Sequence, residues 1–544
     1  MKWLSQFFLV MLFSLISVTV VPAYANDGSL EQVIEGLKVK SFSKKTSTVE
    51  QLGVIADDRV FTVLSAMLEG DLYYQKIPPQ AIVIAEKVED GLSLTDVLSG
   101  KSLGVVSKRE LKKIKVNNKL RRVLRTALAK LSFNNNDPDI RRAAVRNMFK
   151  NIDSEIVALL QSRLAIETED KVRDVIDVGV ALFEFQSDDK QIKLQAVQTL
   201  GNSLESEARN VLLPLVAKGD DGRYLLDDRE LRTAAIKAMA RIDAKLQYNS
   251  WAETIYFGMS LGSVLLLAAI GLAITFGVMG VINMAHGELI MIGAYTTYVI
   301  QLLMPNQIEY SLLVAVPAAF LVAGLVGIAI ERGVIRFLYG RPLETLLATF
   351  GISLILQQLV RTIFSPLNRS VETPQWMSGT FEVNAALALT YNRFYIIIFS
   401  LLVFAALLVI LKKTSLGLHV RAVSQNRTMA RAMGIRTGWV DAMTFGLGSG
   451  IAGIAGVALS QLTNVGPNMG QAYIIDSFMV VVFGGVGNLW GTLVAAMSLG
   501  VINKVLEPWA GAVLAKILVL VFIILFIQKK PRGLFPQRGR AAEH

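Results

Sequence analysis

The sequence predicts an all-α protein: a polytopic α-helical membrane domain preceded by an exported, α-helical, HEAT-like soluble domain. Three observations carry this expectation. The first is composition: 53% of the 544 residues are hydrophobic, 18% are charged and the mean hydropathy is +0.47, which is the membrane class. The second is that charge is unevenly distributed. Residues 26–250 are rich in Lys, Arg, Asp and Glu, whereas residues 254–528 consist largely of apolar runs. The third is one stretch, Phe276 to Ala294, FGVMGVINMAHGELIMIGA, in which apolar sequence holds Asn283, His286 and Glu288. An ionisable group at a bilayer centre costs at least ~2.5–3.5 kcal/mol, so such groups face protein or water. Gly277, Gly280, Gly287 and Gly293 punctuate the stretch, and glycines allow a helix to break or to approach a neighbour closely. The stretch has two readings. One is a broken intramembrane segment lining a path for something polar. The other is a tight cytoplasmic turn in which Asn283 and Glu288 cap helix ends.

In chain order, residues 1–25 read as a secretory signal: Lys2, an apolar core from Phe7 to Val21, and Ala23-Tyr24-Ala25 before Asn26, a small-x-small cleavage pattern. An uncleaved anchor helix is the alternative, and either one exports the soluble domain. Residues 26–248 read as a periplasmic helical domain. DPDIRRAAVRNM from Asp137, EDKVRDVIDVGVAL from Glu169, DKQIKLQAVQTL from Asp189 and DDRELRTAAIKAM from Asp227 share an acidic start and an amphipathic continuation. Acidic residues suit helix N-termini. The apolar anchors Ile140, Val172, Ile192 and Leu231 fit a degenerate HEAT-type stack or a generic bundle. Leu98-Ser99-Gly100-Lys101-Ser102 contains GKS, but Thr95 stands where a phosphate-binding loop needs its first glycine.

The membrane part, residues 252–540, offers spans near 255–278, 286–304, 311–330, 343–363, 394–411, 440–462 and 510–528, with a shorter pair near 473–484 and 491–505. Each full span approaches the length of a ~30 Å hydrocarbon layer. Basic residues orient them: Arg332, Arg336 and Arg341, then Lys412 to Arg436, then Lys529 to Arg540 mark the cytoplasmic side, and the sparsely basic loop 364–392 lies outside. An exported residue 250 and an internal C-terminus require an odd number of crossings. Seven spans satisfy this if 473–505 is a re-entrant pair. That pair contains Gly484, Gly485, Gly487 and Asn488, an echo of Gly280, Asn283 and Gly287. Paired broken segments in two halves point to a midplane path; chance likeness between glycine-rich helices is the other reading.

Within the cytoplasmic loop 412–438, Val420, Val423, Met429, Ala430 and Met433 fall on one face, and Gly434 suits a helix stop. One short amphipathic helix there fits a groove on a cytoplasmic partner or an interfacial position on anionic lipid. The net charge of +11 is accounted for by basic loops, without nucleic acid. There is no cysteine, and His286, His419 and His544 form no metal-ligand spacing. No nucleophile–base–acid set indicates an enzyme.

GVINMAHGELIMIGA (280–294), RPLETLLATFGISLILQ (341–357), LGLHVRAVSQNRTMARAMGI (416–435), VVFGGVGNLWGTLVAA (481–496) and KKPRGLFPQRGR (529–540) together resemble the permease subunits of bacterial ABC importers of the branched-chain amino acid type. With its signal and long soluble domain the chain is similar to the urea branch of that family. The resemblance implies a permease subunit in the inner membrane, with lipid around it and no cofactor. It also implies a second homologous permease, two cytoplasmic ATPase subunits that hydrolyse ATP, and a periplasmic substrate-binding protein. It implies that 416–435 couples to the ATPases, with Arg421, Asn426, Arg431 and Gly434 as contacts. Arg421-Ala422-Val423 stands where many importers carry an EAA pattern. Asn283, His286, Glu288, Asp476 and Asn488 become candidates for the path of urea. A permease for branched-chain or other amino acids is the alternative, and an ATP-independent urea channel or ion-coupled carrier is another.

Overall fold

The computed structural model describes residues 27–536 except 54, 56, 77–79, 89–90, 134 and 150–151. The predicted signal, and Arg538, Arg540 and His544, lie outside the described residues. The chain divides into two compact units, at Asp243/Ala244.

The first unit holds helices α1 Asp27–Glu35, α2 Phe42–Leu52 and α3 Asp58–Glu69, strands β1 Leu72–Gln75, β2 Ile82–Val88, β3 Gly91–Asp96, β4 Ser102–Val106 and β5 Leu111–Lys113, then helices α4 Asn118–Phe133, α5 Pro138–Met148, α6 Ser154–Leu164, α7 Asp170–Glu184, α8 Lys190–Leu200 and α9 Ser206–Leu212. The five strands are a departure from the purely helical reading of residues 26–248. They form one antiparallel sheet in the order β4-β3-β2-β1-β5. Alternation explains it: Leu72 and Ile82 face the core built by α1–α4, while Tyr73, Val83, Ala85 and Leu94 cover the other face. The GKS residues lie at the β3–β4 turn, where the Asp96 carboxylate accepts from the Leu98 and Ser99 amides. A strand, not a helix N-terminus, comes after them, so the turn offers no phosphate cradle.

Beyond the sheet, α5 and α6 pack on α7, and α7 on α8. Acidic N-caps start three of these helices, with Asp137 accepting from the Asp139 amide, Asp153 from Ile156 and Asp189 from Gln191, whereas Glu169, expected to start α7, makes no capping hydrogen bond. The proposed anchors do not behave alike. Val172 and Leu231 are buried, but Ile140 and Ile192 are exposed. In α5 the buried face is Arg141, Arg142, Ala144, Val145 and Met148, one position round from the anticipated register.

The second unit contains α10 Arg229–Met279 (which begins before the division), α11 His286–Leu303, α12 Ile308–Gly333, α13 Pro342–Phe364, the hairpin β6 Thr380–Asn384 and β7 Leu387–Thr390, α14 Tyr391–Lys413, α15 Ser415–Gln425, α16 Arg427–Ala432, α17 Thr437–Ser460, α18 Met469–Gly484 and α19 Leu489–Lys529. Six of these are long and apolar enough to cross a membrane: α10, α12, α13, α14, α17 and α19. Helix α11, expected as a span, is an 18-residue helix with His286 and Glu288 in its first turn, and it is not among the six. The expected separation of 491–505 from 510–528 is present: α19 is two helices joined at a kink at Gly511, whose φ of 76° and ψ of 161° suit glycine alone, and Phe526 of the second piece packs back on Phe483.

Helix α17 is the hub of this unit and is buried along nearly its whole length. Its glycines let three helices approach: Gly448 meets Gly271 of α10, Gly450 meets Phe320 of α12, and Gly453 meets Gly293 of α11. Apolar side chains gain little from leaving lipid for another apolar helix, so close backbone packing drives association here. Outward-facing residues stay apolar, as Leu343, Leu347 and Ile355 on α13 show.

Candidate functional site

Helix α10 ends at Met279, and Gly280 follows with φ +65°. The chain then doubles back. His286, the first residue of α11, donates from Nε2 to the Ala268 carbonyl at 2.9 Å, and its ring lies against Gly271. At 1.5 Å per residue, α11 therefore starts roughly 12–16 Å back from the end of α10, about half the ~30 Å hydrocarbon layer. Segment 280–285 is thus a non-helical return inside the apolar bundle. Thr349 of α13 pins it, accepting from the Met284 amide at 3.1 Å, and Asn283 Oδ1 accepts from the Ala285 amide at 3.0 Å.

Helix α18 begins at the same place. A β-carbon on Gly287 would lie 2.5 Å from the Gly470 carbonyl oxygen, so the first turns of α11 and α18 touch backbone to backbone. Gly287 therefore does not break a helix, contrary to its expected place among the breaks; it permits this approach. At the far end of α18, Gly484 interlocks with Gly491, and Gly485 (φ +104°) and Gly487 (φ +76°) make the turn into α19. Gly487 in turn packs on Gly277 of α10.

Three of the five path candidates gather at the return. Asn283, His286 and Glu288 are each at most 1% exposed. The carboxylate of Glu288 accepts from Ser353 Oγ at 3.0 Å and from Gln357 Nε2 at 2.7 Å, both through Oε1. Its Oε2 is buried without a partner among the described residues, as are His286 Nδ1 and Asn283 Nδ2. The other two candidates are elsewhere. Asp476, halfway along α18, is bonded by Lys516 of α19 at 3.0 Å. Asn488 caps α19, accepting from the Gly491 amide at 3.1 Å, and donates to the Phe535 carbonyl at 3.2 Å. There it helps seat the tail, whose Leu534 and Phe535 amides donate to Phe483 and Gly484.

Sequence reasoning misses the wall opposite Glu288. Thr345, Thr349, Ser353 and Gln357, all buried, recur every four residues on α13 and so share one face. Arg361 continues the row and donates to Asn468 Oδ1 at 2.7 Å, at the N-terminus of α18. The signal is the four-residue recurrence, hidden in a helix whose mean hydropathy still reads as apolar. Among the described residues no group of three or more His, Asp or Glu could hold a metal ion.

The basic loop 412–438 forms two helices, α15 and α16, rather than one. Asn426, with extended φ of −152° and ψ of 97°, separates them and caps α16 by accepting from the Met429 amide at 2.9 Å. The anticipated apolar face divides as well. Val420, Val423 and Ala430 pack with Val440 on the protein's own body, leaving Leu418, Met429 and Met433 exposed. Arg421 donates to the Leu411 carbonyl, Arg431 to Thr437 Oγ1 at 3.4 Å, and Gly434 ends the element at φ +86°. Arg427 holds the loop to the bundle through Asp441 and Tyr339.

A glycine-broken return and two helix N-termini enclosed by apolar helices, beside a buried carboxylate, define a membrane permease body. The comparisons with known proteins agree. Residues 254–527 match the branched-chain amino acid transport system / permease component family, and the chain belongs to that family. It is 31% identical to the high-affinity branched-chain amino acid transport system permease protein LivH of Salmonella typhimurium, over 53% of this chain and 96% of that protein. It is 28% identical to the corresponding BraD protein of Pseudomonas aeruginosa, over 51% and 93%. It is 27% identical to the ribose import permease protein RbsC of Escherichia coli K12, over 49% and 83%. No solved structure matches. The chain is accordingly a multi-pass membrane permease component of the ABC-importer kind.

Proposed function

We propose that this chain forms half of the translocation path of an ATP-driven importer for small amino acids, branched-chain ones foremost. The observation that carries the reading is the return at 280–288. It places one acidic side chain, with an unpaired oxygen, at the meeting point of two helix N-termini inside the apolar bundle. A fixed charge of this kind suits a charged or zwitterionic solute better than a neutral one. The names of the LivH and BraD relatives support the same substrate. Urea is the second reading, favoured by the row of hydroxyl and amide groups on α13, which suits a small neutral solute rich in N–H donors. A stand-alone channel leaves the exposed basic loop without a use.

In this reading a second homologous permease completes the path, a periplasmic binding protein delivers solute, and two cytoplasmic ATPase subunits hydrolyse ATP. The basic loops face the cytoplasm and the first unit faces the periplasm; this needs an odd number of crossings, so the 280–285 return with α11 counts as a crossing besides the six long helices. That unit's helical stack, HEAT-like in its succession of short helices, then serves as a protein-docking surface. Exposed Leu418, Met429 and Met433, with Arg421, Asn426, Arg431 and Gly434 around them, form the ATPase contact. Asp476 and Asn488 take supporting places, as ion-pair partner and cap, rather than lining the path.

Labelled leucine and urea uptake in cells lacking this chain tests the substrate, with and without energy depletion. Loss of energy-dependent leucine uptake on deletion, restored by the chain, is the expected result. Selective loss of urea uptake instead moves the substrate to the second reading. The loop has its own test. Arg431→Glu is expected to weaken co-purification of the ATPase subunits by about tenfold, as reversing a charge at an interface does, with membrane abundance unchanged. Co-purification and transport at wild-type levels would sink the coupling assignment.

A further inference from the structure

We infer that Glu288, buried in the bundle, and the Arg361–Asn468 pair, exposed at the start of α18, are the two poles of a binding site for a zwitterionic α-amino acid where α11 and α18 begin. The inference rests on the amino-acid reading above and specifies how the path recognises its solute.

The negative pole is a built feature. Glu288 is 1% exposed, and two donors from α13 hold its Oε1, Ser353 at 3.0 Å and Gln357 at 2.7 Å. Both bonds go to one oxygen. Oε2 is left buried and unpartnered, so a carboxylate oriented by its neighbours presents one free acceptor. A buried acceptor without a donor carries a desolvation cost that is larger still for a charged group, and a ligand ammonium relieves it. Glu288 also sits in the first turn of α11, where the helix dipole favours a negative charge.

The positive pole lies across the α11–α18 contact. Helix α18 has no acidic residue in its first turn, and its N-cap, Asn468, makes no capping hydrogen bond to that turn. Its side chain instead accepts from Arg361 at 2.7 Å. The first turn of α18 is thus open to an anion, beside a guanidinium whose five N–H donors match a carboxylate. Arg361 follows Gln357 by one turn on the same face of α13. One helix therefore connects the two poles, and the backbone contact of Gly287 with Gly470 keeps them close.

The test is labelled leucine transport by the whole transporter, reconstituted in proteoliposomes with its second permease, ATPase subunits and binding protein. The variants are Glu288→Gln, Glu288→Asp and Arg361→Gln. ATP hydrolysis stimulated by the loaded binding protein is measured alongside. Glu288→Gln and Arg361→Gln are expected to lower leucine transport about tenfold or more, the loss of one charge-assisted hydrogen bond. Glu288→Asp, which keeps the charge, should retain more transport than Glu288→Gln. Stimulated hydrolysis should stay within about twofold of wild type, since the ATPase contact lies elsewhere; a purely structural defect would lower both together. If Glu288→Gln fails to accumulate, Arg361→Gln carries the test alone. Wild-type leucine transport in both neutral variants overturns the site and leaves the importer reading standing. A wild-type complex that hydrolyses ATP but moves urea and no amino acid overturns that reading and the site with it.

Discussion

Gly456→Leu is expected to abolish accumulation of a folded membrane unit. The residue lies on the buried hub helix α17, and a β-carbon there would meet the Ile290 carbonyl and approach the Ala294 amide nitrogen to 2.6 Å. Those are backbone atoms of α11, so no rotamer change makes room. The helices must separate, and the cost exceeds the ~1–3 kcal/mol typical of overpacking against side chains. Separation also uncovers Leu289, Ile290 and Met291, each 0% exposed, and moves the first turn of α11, which carries Glu288. Gly453→Val should behave alike, its β-carbon facing the Ala319 carbonyl at 2.5 Å and the Ala323 methyl at 2.7 Å. Gly351→Ala is the control: nothing lies within 4 Å of its β-carbon, and alanine gains ~1 kcal/mol of helix propensity. Fluorescence-detected size exclusion in mild detergent reads all three. A monodisperse, wild-type-like peak for Gly456→Leu would show that α17 does not pack on α11 in this way.

This glycine packing marks where sequence reading stops. Hydropathy locates the apolar helices of the second unit to within a few residues, because one helical span is a local property. It also finds Asn283, His286 and Glu288, since polar groups in an apolar run are conspicuous. It does not find the roles of Gly271, Gly293 or Gly448, which depend on which helices become neighbours. For the same reason sequence alone groups Asn488 with Glu288, although it caps α19, and Asp476 too, although it pairs with Lys516. The row Thr345, Thr349, Ser353, Gln357 is accessible in principle, for a period of four is written in the sequence. In the first unit, acidic helix starts are legible because capping is local. The sheet escapes notice because its strands are short and Ile82 to Lys87 (IVIAEK) does not alternate apolar with polar residues. Ile140 reads as a core anchor, but its neighbour Arg141 is the buried residue, and only its distant partner explains why.

That partner leads to the other large expected effect. Arg141→Ala should destabilise the first unit by about 1.5–3 kcal/mol, the range for losing hydrogen bonds to a charged group, since Glu167 keeps Arg163 at 3.0 Å. Arg141 binds Glu167 in two-pronged fashion, Nε to Oε2 at 2.9 Å and Nη2 to Oε1 at 2.8 Å, while Nη1 reaches the Asn135 and Asn136 carbonyls. The side chains are 7% and 1% exposed. One ion pair thereby joins α5 to the α6–α7 connection. Arg141→Lys should not rescue it, because an ammonium cannot reproduce the fork. Burial alone would raise the Glu167 carboxyl, but Arg141, the Glu169 amide and Arg163 together outweigh it and hold the group down to about 2. A folded-state value below the unfolded one means that the carboxylate stabilises the fold fully above the ordinary carboxylate range. That stabilisation is lost as pH falls from there towards 2. Hydrogen exchange across residues 137–184 of the full chain reads both effects. Arg141→Ala should speed exchange at neutral pH, and wild-type protection should decline through the acid range. Glu167→Gln should flatten that decline while lowering protection at neutral pH. Unchanged protection in Arg141→Ala would mean that this pair does not hold α5 to α7, and that their apolar contact alone suffices.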